Sequence, residues 1–197
     1  MDYSKGIEFL TEKDLVFRKL YEDLGFLEQK KRSVSFSSFV STIVGQQLSG
    51  KAADTIYGRL LVKVENQVTP EKLHMLQISE LRELGTSNAK AMYITELAKQ
   101  FIDGQIKLNI LETASDKQLY NYLITIKGIG PWSARIIMLF NFQRLDSFPF
   151  GDATLEKVFC MLWKRDIEDL PKFVEDWSPV SGIVAMYMWS FIDTKNV

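Results

Sequence analysis

Two short segments of the sequence contain residues that could bind a phosphate or take part in acid–base chemistry. The first is Gly128-Ile129-Gly130-Pro131, which stands between two apolar stretches. Glycine adopts backbone conformations closed to other residues, and proline favours the first position of a helix. The segment therefore predicts a tight hairpin that leads into a helix, where unpaired N–H groups can bind a phosphate.

The second segment is a loop with proline and glycine that ends in an acidic residue. It reads Phe148-Pro149-Phe150-Gly151-Asp152, and Asp152 follows Gly130 by 22 positions. A fixed carboxylate can stabilise positive charge that develops on a substrate, or orient an attacking water. Asp152 could instead cap the helix predicted to begin near Ala153, and both roles could hold at once. Asp146 is a weaker rival because it precedes the loop.

Helices must position both segments. Apolar residues recur at the helical spacing i, i+3, i+4, i+7 almost throughout, as in Ile94, Leu97, Ala98 and Phe101. No run of alternating β-branched residues indicates a strand. We therefore predict an all-α chain with eight or nine short helices. Breaks are predicted at turn-forming residues in the ranges 25–37, 68–70, 85–88, 104, 127–131, 148–151 and 178–182.

The composition indicates a folded chain with balanced charge. Its 197 residues are 46% hydrophobic, which is enough to form a core, and no apolar stretch approaches the roughly 18 residues of a membrane span. The net charge of −1 argues against nucleic-acid binding, because phosphate contacts usually depend on a surplus of Lys and Arg. Backbone N–H groups and helix N-termini need no such surplus, and a local basic face is compatible with a balanced total.

The run from Ile126 to Ala134, together with Asp152 downstream, resembles the helix-hairpin-helix superfamily of base-excision DNA glycosylases, in particular its alkylated-base (3-methyladenine) branch. The resemblance covers about residues 36–191. It implies an all-α, two-lobed fold with a cleft between the lobes. We expect a single glycosylase unit over 1–197, with the hairpin at 123–139, the catalytic loop at 146–157 and no N-terminal sheet domain.

The resemblance implies a monofunctional enzyme that hydrolyses the N-glycosidic bond of alkylated purines such as 3-methyladenine and 7-methylguanine in duplex DNA. Asp152 matches the catalytic carboxylate of the family. Bifunctional members carry a nucleophilic Lys where this chain has Trp132. Members with an iron–sulfur cluster need four Cys ligands, and Cys160 is the only cysteine. Two alternatives stay open: a non-catalytic DNA-binding protein, and a glycosylase for deaminated or ethenylated bases.

The same resemblance implies which residues contact DNA. The segment from Ile43 to Ala53 matches the one that fills the gap left by a flipped nucleotide, with Gln47 as the intercalating plug and Ser49 at the minor groove. Read alone, its two glutamines could simply hydrogen-bond the backbone. Lys90 is a candidate phosphate contact. The hairpin residues expected at the DNA are Gly128, Ile129, Gly130 and Ser133.

Trp132 and Trp189 match aromatic positions of the base pocket, where stacking favours electron-poor alkylated bases. Trp189 could equally be a core residue. The chain departs from the family pattern at Ala153 and Ile136, where relatives have aromatic residues, which leaves the substrate preference open. No cofactor is expected to be required. Family members hold a monovalent cation on hairpin carbonyls, so the resemblance implies a Na⁺ or K⁺ site at Ile124, Ile126 and Gly128.

The expected partner is double-stranded DNA with a damaged base, bound by a monomer that does not associate with membranes. The N-terminal residues lack the basic and apolar regions of a secretory signal. We therefore expect a cytoplasmic location, at the nucleoid if the source is bacterial.

Overall fold

The computed structural model describes residues 1–29 and 31–195, and all regular secondary structure in this part of the chain is helical. The predicted all-α class is confirmed. The helices of the described residues are α1 (Tyr3–Lys13), α2 (Leu15–Leu24), α3 (Phe36–Gly45), α4 (Gly50–Lys63), α5 (Pro70–Met75), α6 (Ile78–Glu83), α7 (Asn88–Ile102), α8 (Leu108–Thr113), α9 (Asp116–Leu123), α10 (Pro131–Phe140), α11 (Ala153–Trp163), α12 (Leu170–Asp176) and α13 (Ser181–Lys195). A short 3₁₀ helix, Ile167–Asp169, precedes α12.

The predicted number of helices, eight or nine, was wrong. Three helices, α5, α6 and α8, have six residues each, which is too short to show a helical repeat in the sequence. A single residue, Asp14, separates α1 from α2. Its N–H still bonds to the Leu10 carbonyl oxygen in α1. Its carboxylate accepts hydrogen bonds from the Val16 and Phe17 N–H groups in α2. Asp14 thus ends α1 and caps α2.

The chain divides into two compact units, each with its own apolar core. Unit 2 comprises residues 32–142 and contains α3 to α10. Its helix α7 packs against α3, α5 and α6. Ile94, Leu97 and Ala98 are fully buried and Phe101 is partly buried against the same core, so the apolar face predicted for α7 is confirmed.

Unit 1 combines two stretches of the chain, residues 1–31 and 143–197, and contains α1, α2 and α11 to α13. Its core includes the buried side chains of Phe159, Trp177 and Tyr187. The carboxylate of Asp14 also accepts hydrogen bonds from the indole N–H groups of Trp163 and Trp177, each at 2.8 Å. One acidic residue therefore joins the two stretches of unit 1.

Among the residues that the structure describes, no helix has both the length and the apolar character needed to cross a lipid bilayer.

Candidate nucleic-acid interface and catalytic loop

The glycine hairpin connects α9 to α10 within unit 2. A hydrogen bond of 2.9 Å from the Ile129 N–H to the Ile126 carbonyl oxygen closes the turn. Gly128 has a φ of +91°, and a Cβ built on it would lie 2.5 Å from Cγ of Tyr93. Both the left-handed backbone and the close approach of Tyr93 therefore require glycine at position 128.

At Gly130, the second glycine of the hairpin, neither the backbone conformation nor a close neighbour requires glycine. Its φ of −84° is open to any residue, and a Cβ built on it would meet nothing within 4 Å. Gly130 is also the N-cap of α10 and, having no side chain, makes no capping hydrogen bond of its own. The first turn of α10 thus presents the positive end of a helix dipole beside open space, an arrangement that suits an anion.

Two other hairpin residues with predicted DNA contacts have buried side chains. Ile129 belongs to the core of unit 2, and Ser133 is only 3% exposed. The Ser133 hydroxyl oxygen lies 2.9 Å from Nε2 of Gln46, which donates a hydrogen bond to it. Any contact of Ile129 or Ser133 with DNA would therefore have to use the backbone.

Gln46 is the residue that sequence reasoning missed. Besides Ser133, its Nε2 group donates to the Gly128 carbonyl oxygen at 2.6 Å, so one side chain holds both the turn of the hairpin and the first turn of α10. The sequence signal was a pair of adjacent glutamines, for which backbone hydrogen bonding was one interpretation. That interpretation is correct for Gln46, whereas the plug role was assigned to Gln47 alone.

The turn between α3 and α4 exposes the predicted plug. Gln47 is solvent-exposed and has a φ of +55°, in a left-handed region that costs a non-glycine residue about 1 kcal/mol or more. The neighbouring Leu48 is 39% exposed, a notable fraction for a large apolar side chain. Ser49 is also exposed and caps α4 by accepting a hydrogen bond from the Ala52 N–H. The tip of this turn, Gln47 and Leu48, therefore exposes one polar and one apolar side chain to solvent on a strained backbone.

Lys90 lies in the first turn of α7 and points back to the same turn. Its ammonium group donates to the carbonyl oxygens of Val44, at 2.9 Å, and Gln46, at 2.7 Å. Burial lowers the pKa of Lys90, because removal from water disfavours its charged form. Two of its three N–H donors are therefore used within the protein, although the sequence predicted a phosphate contact for this residue.

The three carbonyl groups predicted to hold a monovalent cation belong to the same hairpin. The Ile126 carbonyl accepts the hydrogen bond of Ile129, and the Gly128 carbonyl accepts that of Gln46. Ile124 is the C-cap of α9. Each carbonyl oxygen has two lone pairs, so one hydrogen bond leaves a second acceptor position, and neutral oxygen donors suit Na⁺ or K⁺.

In unit 1, the loop before α11 holds Asp152 as the N-cap of that helix. Its Oδ1 atom accepts hydrogen bonds from the N–H groups of Thr154, at 3.0 Å, and Leu155, at 3.1 Å. Upstream, Phe148 is buried and packs against Phe150 and Trp177, with ring centroids 5.2 and 6.1 Å apart. The capping role predicted as one interpretation of Asp152 is confirmed, and it fixes the orientation of the carboxylate.

Asp146, the rival carboxylate, binds the start of α13. Its Oδ2 accepts a hydrogen bond from the Ser178 hydroxyl at 2.7 Å, and its Oδ1 accepts bonds from the Ser181 hydroxyl at 2.8 Å and the Ser181 N–H at 3.3 Å. Both oxygens thus hold unit 1 together, which favours a structural role for Asp146.

The two predicted pocket residues lie in different units. Trp132 is the second residue of α10 in unit 2 and is half-buried. Trp189 lies on α13 in unit 1, where it is half-buried and packs partly against the core. Among the predicted site residues, unit 2 therefore contains the hairpin, Gln47, Ser49 and Lys90, whereas unit 1 contains Asp152 and Trp189.

The balanced net charge of the chain hides an uneven distribution between the units. Residues 32–142 contain 12 Lys and Arg against 9 Asp and Glu, a net charge of +3. The remaining residues contain 12 Lys and Arg against 16 Asp and Glu, a net charge of −4. The unit with the hairpin is thus the basic one, so the total of −1 does not argue against a polyanionic ligand for it.

Residues 40–176 match the model of the HhH-GPD superfamily of base excision DNA repair proteins, a span that includes the turn at Gln47, the hairpin and Asp152. The chain belongs to this superfamily.

This chain is also similar to individual proteins named as DNA glycosylases or glycosidases. The putative DNA-3-methyladenine glycosylase YfjP of Bacillus subtilis is 25% identical over 80% of this chain, which spans 59% of the length of that protein. The crystal structure of a DNA-3-methyladenine glycosidase from Bacillus halodurans is 30% identical, covers 94% of this chain and 88% of its own, and has a TM-score of 0.77. The Mag1 glycosylase of Schizosaccharomyces pombe, solved with abasic DNA, shares the fold at a TM-score of 0.86 and 24% identity over 96% of this chain and 97% of its own.

Proposed function

We propose that this superfamily member is a monofunctional DNA glycosylase that hydrolyses the N-glycosidic bond of alkylated purines, such as 3-methyladenine and 7-methylguanine, in duplex DNA. The observation that carries the proposal is the start of α10, where Gly130 contributes no capping side chain and faces open space. The similarity to YfjP, a putative DNA-3-methyladenine glycosylase, and to the DNA-3-methyladenine glycosidase of Bacillus halodurans supports the substrate class.

The hairpin binds the sugar-phosphate backbone in this proposal. The backbone N–H groups at the start of α10 and the helix dipole attract a phosphate, and the absence of a side chain at Gly130 permits its close approach. The net charge of +3 on unit 2 adds a general attraction to DNA. These contacts set the register of the protein on the duplex and do not depend on base sequence.

Gln47 fills the space of the target nucleotide once it rotates out of the stack. Its exposed position and strained backbone are the features expected of a residue held at a tip for function rather than for stability. Ser49 is exposed two residues after Gln47 and is the proposed contact with the minor groove. Trp132 and Trp189 are the proposed aromatic faces for the displaced base, because cationic purines stack well on tryptophan.

Asp152 is the proposed catalytic carboxylate. As the base leaves with the electron pair of the N-glycosidic bond, positive charge builds on the sugar, and the carboxylate stabilises it. Water then adds to the anomeric carbon and loses a proton, which leaves an abasic site. Since Trp132 stands at the position of the family's nucleophilic lysine, water is the nucleophile. The hydrogen bonds from Thr154 and Leu155 keep the carboxylate in one orientation.

Two further assignments belong to the same proposal. A monovalent cation on the carbonyls of Ile124, Ile126 and Gly128 would add positive charge near a bound phosphate, and the hydrogen bonds already made by Ile126 and Gly128 leave room for a second ligand on each oxygen. The enzyme acts as a monomer on chromosomal DNA, so we expect it in the compartment that contains the genome.

Release of methylated bases from duplex DNA tests the proposal. Wild type should release 3-methyladenine or 7-methylguanine under single-turnover conditions, and Asp152→Asn should do so about 100-fold more slowly or worse. Tight binding to abasic-site DNA without any base release would identify a non-catalytic binder. Release of deaminated or ethenylated bases in preference to methylated ones would replace the substrate class and leave the mechanism intact.

A further inference from the structure

The turn that exposes Gln47, the glycine hairpin and α7 are joined by a closed ring of contacts within unit 2. The Lys90 ammonium binds the Gln46 carbonyl oxygen at 2.7 Å, and the Gln46 side-chain amide binds the Gly128 carbonyl oxygen at 2.6 Å. The ring closes on α7, since the Tyr93 side chain packs on Gly128 so tightly that no Cβ fits there. Lys90 and Tyr93, three residues apart, lie on the same face of that helix.

Gln46 forms two of the links in this ring, one through its backbone and one through its side chain. Its carbonyl oxygen accepts from Lys90, and its Nε2 group donates to Gly128 and Ser133. The very next residue is Gln47, whose φ of +55° is unfavourable for glutamine. A strained residue persists only when its surroundings determine its conformation, and the hydrogen bonds of Gln46 hold the residue that directly precedes Gln47.

Lys90 adds charge-assisted bonds to the same turn. Its two acceptors, Val44 and Gln46, are carbonyls near the end of α3, where the negative end of the helix dipole favours a cation. Such bonds are stronger than neutral ones. Lys90 is half-buried, so a phosphate contact would have to compete with two bonds that its ammonium already makes within the protein.

We propose that Gln46 and Lys90 are positioning residues that lock the Gln47–Leu48 tip to the glycine hairpin, so that insertion of the tip into DNA and binding of the phosphate occur as one step. Lys90 then acts on DNA through the turn and not through a phosphate. The proposal rests on the function proposed above, because it assigns the tip to the gap left by a flipped nucleotide.

Salt titrations separate the two roles of Lys90. Binding to duplex DNA with a tetrahydrofuran abasic site would be measured over a range of KCl concentrations for wild type, Lys90→Met, Gln46→Met and the control Lys99→Met, which removes an exposed charge from the same helix. Log K falls linearly with log [KCl], and a lost phosphate contact makes this negative slope shallower by about 0.9. We expect Lys90→Met to keep the wild-type slope.

Insertion of the tip is measured by the fluorescence of 2-aminopurine placed opposite the abasic site, at a saturating concentration of protein. We expect the fraction of inserted complex to fall roughly tenfold in Lys90→Met and in Gln46→Met, because each loses a bond of the ring, and to stay unchanged in Lys99→Met. Thermal melting identifies variants that are not folded. If Lys90→Met is unfolded, Gln46→Met decides by the same fluorescence measurement.

A slope shallower by about 0.9 in Lys90→Met would identify a phosphate contact and overturn the proposal. Wild-type insertion in folded Lys90→Met, or in folded Gln46→Met, would overturn it as well. Failure of the wild type to bind the abasic duplex would overturn the proposed function and this inference together. Binding and insertion by wild type, with no effect of either variant, would refute the inference and leave the function standing.

Discussion

The side-chain amide of Gln46 lies 2.6 Å from the carbonyl oxygen of Gly128, although 82 positions separate the two residues in the sequence. This bond joins the exposed tip at Gln47 to a hairpin whose second glycine faces open space. The two parts of unit 2 to which we assign DNA contacts are therefore held in one hydrogen-bonded structure.

Substitutions of Asp152 should separate its capping role from its chemical role. Asn caps helices as well as Asp does, so Asp152→Asn should unfold at nearly the same denaturant concentration as wild type, whereas Asp152→Ala should lose about 1 kcal/mol. Both variants should release methylated bases about 100-fold more slowly or worse, because neither has a carboxylate. Chemical denaturation and single-turnover base release measure the two effects.

Asp146→Asn is the matched control for the loss of a carboxylate in the same unit. Its hydrogen bonds to Ser178 and Ser181 are structural, so we expect lower stability and nearly normal base release per folded molecule. Loss of base release in Asp146→Asn, with activity retained in Asp152→Asn, would reverse the assignment of the two residues.

The two glycines of the hairpin should respond in opposite ways to the same substitution. Gly128→Ala forces a Cβ into the Tyr93 ring and a positive φ on alanine, and it should cost about 2 kcal/mol or more. Gly130→Ala meets open space, so its stability should be unchanged or slightly higher, while its affinity for duplex DNA should fall because the methyl group occupies the path of a phosphate. Thermal melting and DNA titration test both; wild-type affinity in Gly130→Ala would exclude the proposed phosphate site.

Gln47→Gly should relieve the left-handed strain at the tip and remove the plug. We expect a gain in stability of at most about 1 kcal/mol, since glycine also loses more conformational freedom on folding. Insertion opposite an abasic site, measured with 2-aminopurine, should be lost, and excision should slow. A variant that inserts as wild type does would show that the side chain of Gln47 is not the plug.

At alkaline pH, the free energy of unfolding should fall less steeply with rising pH in Tyr3→Phe than in wild type. Burial raises the pKa of the Tyr3 hydroxyl above its usual 10, and that hydroxyl has no hydrogen-bond partner among the residues that the structure describes. Above pH 10 the unfolded chain therefore releases a proton that the folded chain keeps, and the free energy of unfolding falls as the pH rises. Part of this slope should remain in Tyr3→Phe, because burial also raises the pKa of Tyr187. Denaturation between pH 8 and 11 measures it, and equal slopes in both proteins would contradict the assignment.

Local sequence features account for the parts of the fold that were predicted correctly. The spacing of Ile94, Leu97 and Ala98 identified the buried face of α7, and the combination of two glycines with Pro131 identified the start of α10. The position of Asp152 before Ala153 identified an N-cap. Each of these signals lies within a few residues of the structure it predicts.

The features that the sequence did not predict depend on contacts between distant residues or on very short elements. Neither the bonds of Gln46 to the hairpin nor those of Lys90 to Val44 leave a periodic pattern, because each partner lies more than forty positions away. The six-residue helices were missed because fewer than two turns cannot establish a repeat. Their stability comes from tertiary packing, which only the folded chain supplies.

The construction of unit 1 from residues 1–31 and 143–197 has a consequence for synthesis on the ribosome. Asp14 emerges early, but its indole partners, Trp163 and Trp177, follow only after all of unit 2 has been made. Unit 2 can complete its core first. During that time the apolar faces of α1 and α2 stay exposed to solvent. We therefore expect the nascent N-terminal helices to expose apolar surface until the second stretch of unit 1 has been made, which makes them a target for chaperones.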